Sequence, residues 1–480
     1  MTQQKLATGV DIDGFRLEER IYSGNMSSLW RCQRADIDIP IVIKIPKLGY
    51  GADPTAIIGF EVEQMILPTL KGRNVPRFVA AGDFTSKAYL VTEFITGEPL
   101  AAQMLGKPLP IDRIQSIGAK VATAIYSLHA QNVIHLDVKP QNILFRESGE
   151  AVLIDFGLAH HNQLPDLLSE EMSTPLGSGG YISPEQVVGV RTDHRSDIFS
   201  LGVLLYTMVT GKEPFGMPQS ISGLRQRLYK DPAPPRALNP ECPPWLQEII
   251  LRCLAVDPND RYNSAAEVGF QLQNPDQVLI SAAGEKLASD GLLQVAKRWF
   301  RSVGIGGETL SIHDHLNKAP FIAVAIEVSQ SDSLLAVAQR TEAQRLFESA
   351  EGARLACITV MRTARLGMDM NVDKDGNNLH VKALVQLKHW ARELRVPEGR
   401  LTFHVLEHPS PAEAIIKFAW TNHVDHLIVG AQVSPDTPRI IDGALIGSDS
   451  RKKIGIICAD IVAMAPCSVT VVRARKAHDD

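Results

Sequence analysis

Two short polar clusters in the first half of the chain carry residues that could bind a metal ion and phosphate groups. The first cluster, HLDVKPQN, brings Asp137, Lys139 and Asn142 close together in the chain. The second is DFG, where Asp155 lies thirteen residues after Asn142, at the end of the apolar run AVLI. Mg²⁺ is bound in proteins by a few carboxylate or amide oxygens together with substrate phosphates. The two clusters therefore predict a magnesium–phosphate site on neighbouring loops.

The two clusters resemble the catalytic loop and the metal-binding loop of the protein kinase family, and Lys139-Pro140 is typical of its Ser/Thr branch. The resemblance covers about 260 residues, more than half of the chain. It implies transfer of the γ-phosphoryl group of ATP, with Mg²⁺, to a protein hydroxyl, mainly through positioning and charge stabilisation. It also implies that Asp137 accepts or orients the hydroxyl, that Lys139 steadies the γ-phosphate, and that Asn142 and Asp155 hold the metal.

Other positions resemble the nucleotide-binding residues of the same family. Lys44 in IVIK resembles the lysine that holds the α- and β-phosphates, and Glu63 stands where its partner glutamate belongs. Glu61 on the same predicted helix is the alternative, but only Glu63 fits the F-x-x-E arrangement. The segment TEFI resembles the gatekeeper and hinge, which implies that the backbone at Glu93 and Ile95 hydrogen-bonds adenine.

Three further residues resemble structural landmarks of the kinase family. Glu185 in SPE corresponds to the A-P-E element, and Arg261 in DPNDRY is its implied ion-pair partner. Asp197 resembles the buried aspartate that braces the catalytic loop. Its alternative is an N-cap of the helix that follows, because aspartate is also favoured there.

Two departures from the family pattern bear on activity and control. The phosphate-covering loop YSGNMS keeps only Gly24 of the three usual glycines, and glycine is what permits close backbone approach. Leu136 stands where most kinases carry an arginine that meets an activation-loop phosphate. We therefore expect weak control by loop phosphorylation, although acceptors are available at Ser169, Ser173, Thr174 and Ser178.

The order of the predicted elements agrees with this resemblance. The β-rich runs at 40–45 and 88–94 precede helical patterns, which predicts an α+β unit and, by resemblance, the bilobal kinase fold. Asp53 is placed to cap an early helix. A second helix, with apolar residues every three or four positions, begins at Ile111 and ends before Asn132.

After Pro320 strands alternate with helices, which predicts an α/β domain with a parallel sheet. The segments DHLIVG and APCSVTVV resemble the universal stress protein family. Nucleotide-binding members of that family carry a G-x-x-G loop followed by G-S or G-T. Here Gly430 remains, Val433 replaces the second glycine, and an apolar residue follows Gly455. These departures weigh against ATP binding in this domain.

The final predicted strand of that domain suggests a homodimer. SVTVVR, residues 468–473, is β-branched and short, and the resembling family commonly pairs this strand across a two-fold axis. An unpaired edge of this composition would be an aggregation liability, whereas two-fold pairing would satisfy its backbone groups. An interior strand, or an edge covered by a helix around Trp299, is the alternative.

Length and charge set the outer limits of the prediction. The 480 residues suggest two to four domains. The net charge of −5 supplies no field for nucleic acid, and scattered cysteines indicate reduced thiols. The expected limits are a tail at 1–13, a kinase domain at 14–273, a linker at 274–318 and a stress-protein-like domain at 319–475.

The linker contains an amphipathic helix pattern at residues 292–303, which we expect to dock on a flanking domain; a membrane-surface helix is the alternative. The most apolar segment, residues 198–209, is too short to cross a bilayer and is expected to be a buried helix. With a polar N-terminus, the sequence predicts a cytoplasmic Ser/Thr kinase without a transmembrane segment, acting on protein substrates. A pseudokinase scaffold without turnover is the alternative.

Overall fold

The computed structural model divides into two compact units. Most described residues before 290 belong to the first unit, and most of those from 320 on belong to the second. The structure describes residues 6–24, 26–47, 54–84, 87–104, 106–171, 174–218, 220–288, 320–330, 333–362, 378–397, 400–431, 440–441, 444–445 and 455–474.

The first unit opens with an antiparallel sheet. Its strands are β1 (Asp11–Ile12), β2 (Phe15–Ser23), β3 (Ser27–Gln33), β4 (Ile41–Pro46), β5 (Phe78–Gly82) and β6 (Tyr89–Glu93). They lie in the order β1-β2-β3-β4-β6-β5, around an apolar core that includes Phe15, Trp30 and Val91. Helix α1 (Pro54–Ile66) lies between β4 and β5 in the chain, and the Nε2 of its Gln64 donates to the carbonyl of Gly82 at 2.6 Å. This sheet and helix carry the predicted phosphate-binding residues.

The rest of the first unit is mainly helical. Its helices are α2 (Ile111–His129), α3 (Leu167–Glu171), α4 (Pro184–Val187), α5 (Arg195–Thr210), α6 (Ile221–Arg225), α7 (Pro235–Leu238), α8 (Pro244–Cys253), α9 (Ala265–Gln273) and α10 (Ala282–Glu285). The apolar stripe of α2 is buried, as the 3.6-residue period predicts. Helix α5 is buried along nearly its whole length and ends at Gly211, whose φ of 72° is the left-handed conformation that favours glycine. The expected core helix is thus confirmed.

Two short antiparallel strand pairs frame the predicted catalytic segments. Strand β7 (Val133–Ile134) pairs with β10 (His160–His161), and β8 (Ile143–Phe145) pairs with β9 (Ala151–Leu153). The HLDVKPQN segment therefore runs from β7 to β8, and DFG lies between β9 and β10. The pairings bring the two loops together because each pair joins a strand beside one loop to a strand beside the other.

The second unit is an α/β domain with a parallel sheet, as predicted. Its main elements are β11 (Phe321–Ala325), α11 (Leu334–Ser349), β12 (Arg354–Met361), α12 (Leu379–Ala391), β13 (Leu401–Glu407), α13 (Pro411–Thr421), β14 (His426–Gly430), β15 (Ile440–Ile441), β16 (Ala444–Leu445), α14 (Ile456–Met464) and β17 (Ser468–Val472). The sheet order is β13-β12-β11-β14-β17, with every pairing parallel. Apolar cores lie on both faces, one around Trp390 and one around Phe418, as parallel sheets require.

Some expectations fall outside the described residues. They are the Asp53 cap, Ser173, Val433 and the linker helix at 292–303. Among the described residues, no helix is long and apolar enough to span a membrane. All six cysteines are free thiols, and five of them are buried.

Candidate active site

Asp197, in the first turn of α5, holds the loop between β7 and β8. Its two carboxylate oxygens accept the backbone N–H groups of His135 and Leu136, each at 2.8 Å. Leu136 has a φ of 59°, which is uncommon for a leucine and costs free energy unless the surroundings hold it. The residue before α5 is His194, so Asp197 is not the N-cap of the helix. Its side chain instead fixes the catalytic loop.

His129 completes this brace from the last turn of α2. Its Nε2 lies 2.9 Å from Asp197 Oδ2, and the Asp197 side chain is completely buried. Burial by itself raises the pKa of Asp197, but the hydrogen bond and charge of His129 outweigh burial and lower that pKa. Sequence reasoning missed His129. The only indication in the sequence was that His129 is a polar residue at the end of the apolar pattern of α2.

The Asp137 carboxylate lies in a cluster of hydrogen bonds. Lys139 Nζ donates to Asp137 Oδ2 at 2.6 Å, and Asn142 Nδ2 donates to the same oxygen at 3.0 Å. Ser178 donates to Asp137 Oδ1 from its hydroxyl at 2.7 Å and from its backbone N–H at 3.2 Å. Lys139 Nζ also lies 2.9 Å from the Ser178 hydroxyl. Three predicted site residues and one predicted loop acceptor thus meet in one place.

The position of Ser178 differs from that of the other loop acceptors. Its hydroxyl is bonded to Asp137 and Lys139, so it belongs to the hydrogen-bonded cluster around Asp137. Ser169 and Thr174 are both exposed. Because a phosphate on Ser178 would set a second negative charge beside Asp137, phosphorylation there is expected to block the site.

Lys44 joins α1 to the DFG loop. Its Nζ donates to Glu63 Oε2 at 2.6 Å and to Asp155 Oδ1 at 3.0 Å. Glu63 is 5% exposed at its side chain, so the pair is partly shielded from water. Asp155 has a φ of 66°, a conformation that aspartate tolerates better than most residues. Glu63, and not Glu61, is the glutamate that bonds Lys44.

The ionisation of this triad follows from its contacts. The charge of Lys44 lowers the pKa of Asp155 to about 2. Burial lowers the pKa of Lys44, but the charges of Asp155 and Glu63 outweigh burial and raise it. Lys44 is therefore a fixed cation at neutral pH and Asp155 a fixed anion. Burial raises the pKa of Glu63, and Lys44 opposes that rise.

The predicted hinge lies at the end of β6. The N–H of Glu93 donates to the carbonyl of Arg77 at 2.8 Å, so this N–H is already bonded within the sheet. The Glu93 carboxylate accepts two hydrogen bonds from the guanidinium of Arg146, which lower its pKa. Ile95 packs with Leu144 in a small apolar cluster. Sequence reasoning placed Glu93 and Ile95 at this hinge but missed Arg146.

Glu185 and Arg261 form the predicted pair. The two guanidinium nitrogens of Arg261 donate to the two oxygens of Glu185 at 2.7 and 2.8 Å. Ser196 donates to the same carboxylate at 2.6 Å, and all three residues are buried. The two-point contact ties α4 to the chain between α8 and α9, and the Ser196 hydrogen bond ties α4 to α5. These contacts therefore fix the chain just after Ser178.

Gly24 lies at the turn between β2 and β3. Its N–H donates to the carbonyl of Ser27 at 3.0 Å. A Cβ on Gly24 would lie 2.6 Å from the hydroxyl oxygen of Tyr22, whose side chain is 61% exposed. The side chain of Tyr22, at the first position of this loop, therefore folds over Gly24.

In the second unit, Gly430 lies where β14 ends. A Cβ there would lie 3.0 Å from a methyl carbon of Leu335 and 3.1 Å from the amide of Gln339, so α11 packs directly over this glycine. Gln339 Nε2 donates to the carbonyl of Ala325 at 2.8 Å. The close packing of α11 explains the glycine without a nucleotide.

Comparison with known proteins gives two family matches along the chain. The model of the protein kinase domain matches residues 15–270, and that of the universal stress protein family matches residues 322–473. A probable serine/threonine-protein kinase of Clostridium perfringens is 31% identical over 56% of this chain and 40% of its own length. The serine/threonine-protein kinase PknL of Mycobacterium tuberculosis is 29% identical over 57% of this chain and 68% of its own length.

Among solved structures, the PknI kinase domain of Mycobacterium tuberculosis is 21% identical with a TM-score of 0.45, over 56% of this chain and 98% of that chain. This chain spans less than half the length of the Clostridium perfringens relative. The kinase match alone covers more than half of the present chain. The chain therefore belongs to the protein kinase family and carries a universal stress protein domain after its kinase domain.

Proposed function

We propose that this chain is an active Ser/Thr protein kinase that transfers the γ-phosphoryl group of ATP to hydroxyl groups of proteins, including its own. The observation that carries the proposal is the pair of linked clusters at the two loops. Lys44 bonds both Glu63 and Asp155, while the Asp137 carboxylate bonds Lys139. Phosphoryl transfer depends on such positioned charges more than on covalent chemistry.

The residues present fit Mg²⁺. Asn142 donates its amide nitrogen to Asp137, which leaves the amide oxygen available to a metal, and Asp155 supplies an ionised carboxylate. Both are oxygen donors of the kind Mg²⁺ prefers. When bound with ATP, Mg²⁺ would neutralise charge on the phosphates. We propose Asn142 and Asp155 as its ligands.

In the proposed transfer, Asp137 takes the proton of the acceptor hydroxyl as the hydroxyl oxygen bonds the γ-phosphorus. The bond from that phosphorus to the β–γ bridging oxygen breaks, and ADP leaves with the electron pair. Lys139 lies 2.6 Å from Asp137 and so can steady the transferring group next to it. Lys44 is proposed to hold the α- and β-phosphates.

Labelled ATP tests this proposal. The purified chain with Mg²⁺ and a generic acceptor protein should label itself and the acceptor on Ser or Thr. Lys44→Ala and Asp155→Asn should each remove the label and leave the circular dichroism spectrum unchanged. Asp36→Asn is the matched control, because the Asp36 side chain is 65% exposed and should not affect transfer. Unchanged labelling by Asp155→Asn would contradict the assignment.

The pseudokinase alternative rests on the altered loop around Gly24. The relatives reported above are described as serine/threonine-protein kinases, which supports the enzyme over the scaffold. The two alternatives differ in one measurement. A scaffold would bind ATP, as shown by calorimetry, and would transfer no label at any Mg²⁺ concentration.

We also propose that the second unit forms a homodimer through β17. In the sheet that the structure describes, β17 pairs on one side only, with β14, which supports an available edge. The proposed domain limits remain 14–273 and 319–475, with the linker between them. A cytoplasmic location stays a prediction.

A further inference from the structure

The proposed reaction needs an ordered activation segment, by which we mean residues 158–182. This segment begins directly after DFG and contains Ser178. Leu136 cannot hold a phosphate on it, because its side chain is apolar and the residue is 2% exposed. Another group must therefore fix the segment if the site is to stay assembled.

Arg191 makes an ion pair with the middle of the segment. Its Nε donates to Asp166 Oδ2 at 2.8 Å. The two side chains are 9% and 14% exposed, so water screens the pair weakly. Asp166 also accepts the N–H of Ser169 at 3.2 Å, at the start of α3. The ion pair thus joins Arg191 to a short helix of the segment.

The same guanidinium binds the first residues of the segment. Arg191 Nη2 donates to the carbonyl of Leu158 at 3.0 Å and to that of Ala159 at 3.4 Å. These residues directly follow the DFG glycine, two and three positions after Phe156. One side chain therefore ties the metal-binding loop to the middle of the segment.

The imidazole of His160 also faces this carboxylate. Its Nδ1 lies 3.2 Å from Asp166 Oδ2. Burial by itself raises the pKa of Asp166, but its contacts with His160 and Arg191 lower that pKa to about 2. Asp166 is thus ionised throughout the physiological range and carries a permanent negative charge.

The chain just before Arg191 is itself held in place by hydrogen bonds. The N–H of Val190 donates to the carbonyl of Glu185 at 2.9 Å, and the Glu185 carboxylate binds Arg261 at two points. The anchor therefore runs from the buried pair of Glu185 and Arg261, at α4, to the segment that follows DFG. No phosphate group is needed at any step of it.

We propose that Arg191 is the positioning residue that holds the activation segment in this kinase, with the permanent carboxylate of Asp166 in the place of a phosphate. The inference rests on the proposed kinase function and deepens it. In most kinases an arginine before the catalytic aspartate meets a phosphate on the activation segment. Here Arg191, which follows α4, meets the carboxylate of Asp166 instead, so the negative charge on the segment is permanent. The kinase domain would then be assembled without prior phosphorylation.

Hydrogen exchange tests the anchor independently of turnover. In the dephosphorylated full chain, Arg191→Met should raise amide exchange at least about tenfold in peptides that cover residues 156–171. Arg191→Lys should raise it less, because lysine keeps the charge but makes fewer contacts. Arg73→Met is the control, since Arg73 forms an exposed pair with Glu150 and should leave these peptides unchanged. Equal exchange in wild type and Arg191→Met would overturn the anchor.

Kinetics test the consequence for transfer. With the protein dephosphorylated and its mass verified, Arg191→Met should lower kcat at least about tenfold while the ATP affinity measured without Mg²⁺ stays within about twofold. A merely structural loss would lower both, along with thermal stability. Asp166→Asn is nearly isosteric and should also lower kcat, so it keeps the test open if Arg191→Met does not fold. A folded Asp166→Asn with wild-type kcat would overturn the proposal.

The two proposals fail in different ways. If the wild-type chain transfers no phosphate, the kinase function is wrong, and the exchange experiment still decides whether Arg191 holds the segment. If wild type is active and Arg191→Met is equally active, only the positioning role is wrong.

Discussion

Gly59 of α1 packs against the backbone of Gly157, the glycine of DFG. A Cβ on Gly59 would lie 3.0 Å from the carbonyl oxygen of Gly157, closer than side-chain carbons normally approach a backbone oxygen. The helix that carries Glu63 thus rests on the loop that carries Asp155. Lys44 bonds both residues, so we expect its two ion pairs to depend on this approach.

Gly59→Ala is therefore expected to lower activity although it favours the helix. Alanine in a helix interior is favoured over glycine by roughly 0.5–1 kcal/mol. The added methyl group must push α1 away from Gly157, which weakens the contact of Lys44 with Glu63. We expect kcat to fall by about tenfold, equivalent to about 1.4 kcal/mol in the barrier. Steady-state kinetics and thermal denaturation of the same sample measure both effects.

Gly269→Ala is the matched control for this prediction. Gly269 lies within α9, and its added Cβ would meet the Cβ of Ala122 at an ordinary 3.4 Å. This variant should keep wild-type kcat and equal or higher thermal stability. If Gly59→Ala behaved in the same way, the proposed contact would have no role in activity.

Ser178 gives a second prediction. Ser178→Ala removes the hydroxyl that bonds Asp137 and Lys139, so kcat should fall about tenfold. The kcat of Ser178→Asp should be lower still, because a second carboxylate would face Asp137. Assays of acceptor labelling at saturating ATP measure both. Higher activity of Ser178→Asp than of Ser178→Ala would mean that a negative charge at this position activates the kinase.

Loop phosphorylation is expected to have a small effect. Leu136 offers no positive charge to a phosphate, and Thr174 is exposed. Phosphatase treatment should change the rate by less than about tenfold, or about 1.4 kcal/mol. Thr174→Ala should act like wild type in the same assay. A larger loss on dephosphorylation that returns on rephosphorylation at Thr174 would refute this expectation.

The residues nearest the chemistry could be predicted because their spacing is local. Asp137, Lys139 and Asn142 lie close together in the chain, so their clustering could be predicted without any knowledge of packing. The apolar stripe of α2 could also be predicted, from the spacing of its apolar residues. The parallel sheet of the second unit could be predicted from the alternation of strands and helices.

The supporting residues could not be predicted because their partners are distant in sequence. His129 bonds Asp197 across 68 positions, and Arg191 bonds Asp166 across 25. Each alone is an ordinary polar residue in its segment. The contact of Ser178 with Asp137 could not be predicted for the same reason, since only the fold brings its hydroxyl to Asp137.

The proposed dimer can be tested at one backbone position. Ala431 donates to the carbonyl of Val472 at 2.8 Å, so Val472 faces β14, and the alternation of a strand turns the N–H of Val471 to the open edge. Val471→Pro should therefore abolish dimerisation of the full chain in sedimentation velocity and keep the domain folded, because proline removes that donor. Val471→Ala keeps the donor and should remain dimeric. A monomeric wild type would refute the proposal.

The central claim is that Asp137 is the group that accepts the proton of the substrate hydroxyl. Asp137→Asn preserves the shape of the side chain and removes its negative charge. The decisive measurement is single-turnover transfer from bound ATP to an acceptor protein, with ATP affinity measured on the same sample. The account predicts that Asp137→Asn binds ATP within about threefold of wild type and transfers phosphate at least about a hundredfold more slowly, about 2.7 kcal/mol. Wild-type transfer by this variant would contradict the account.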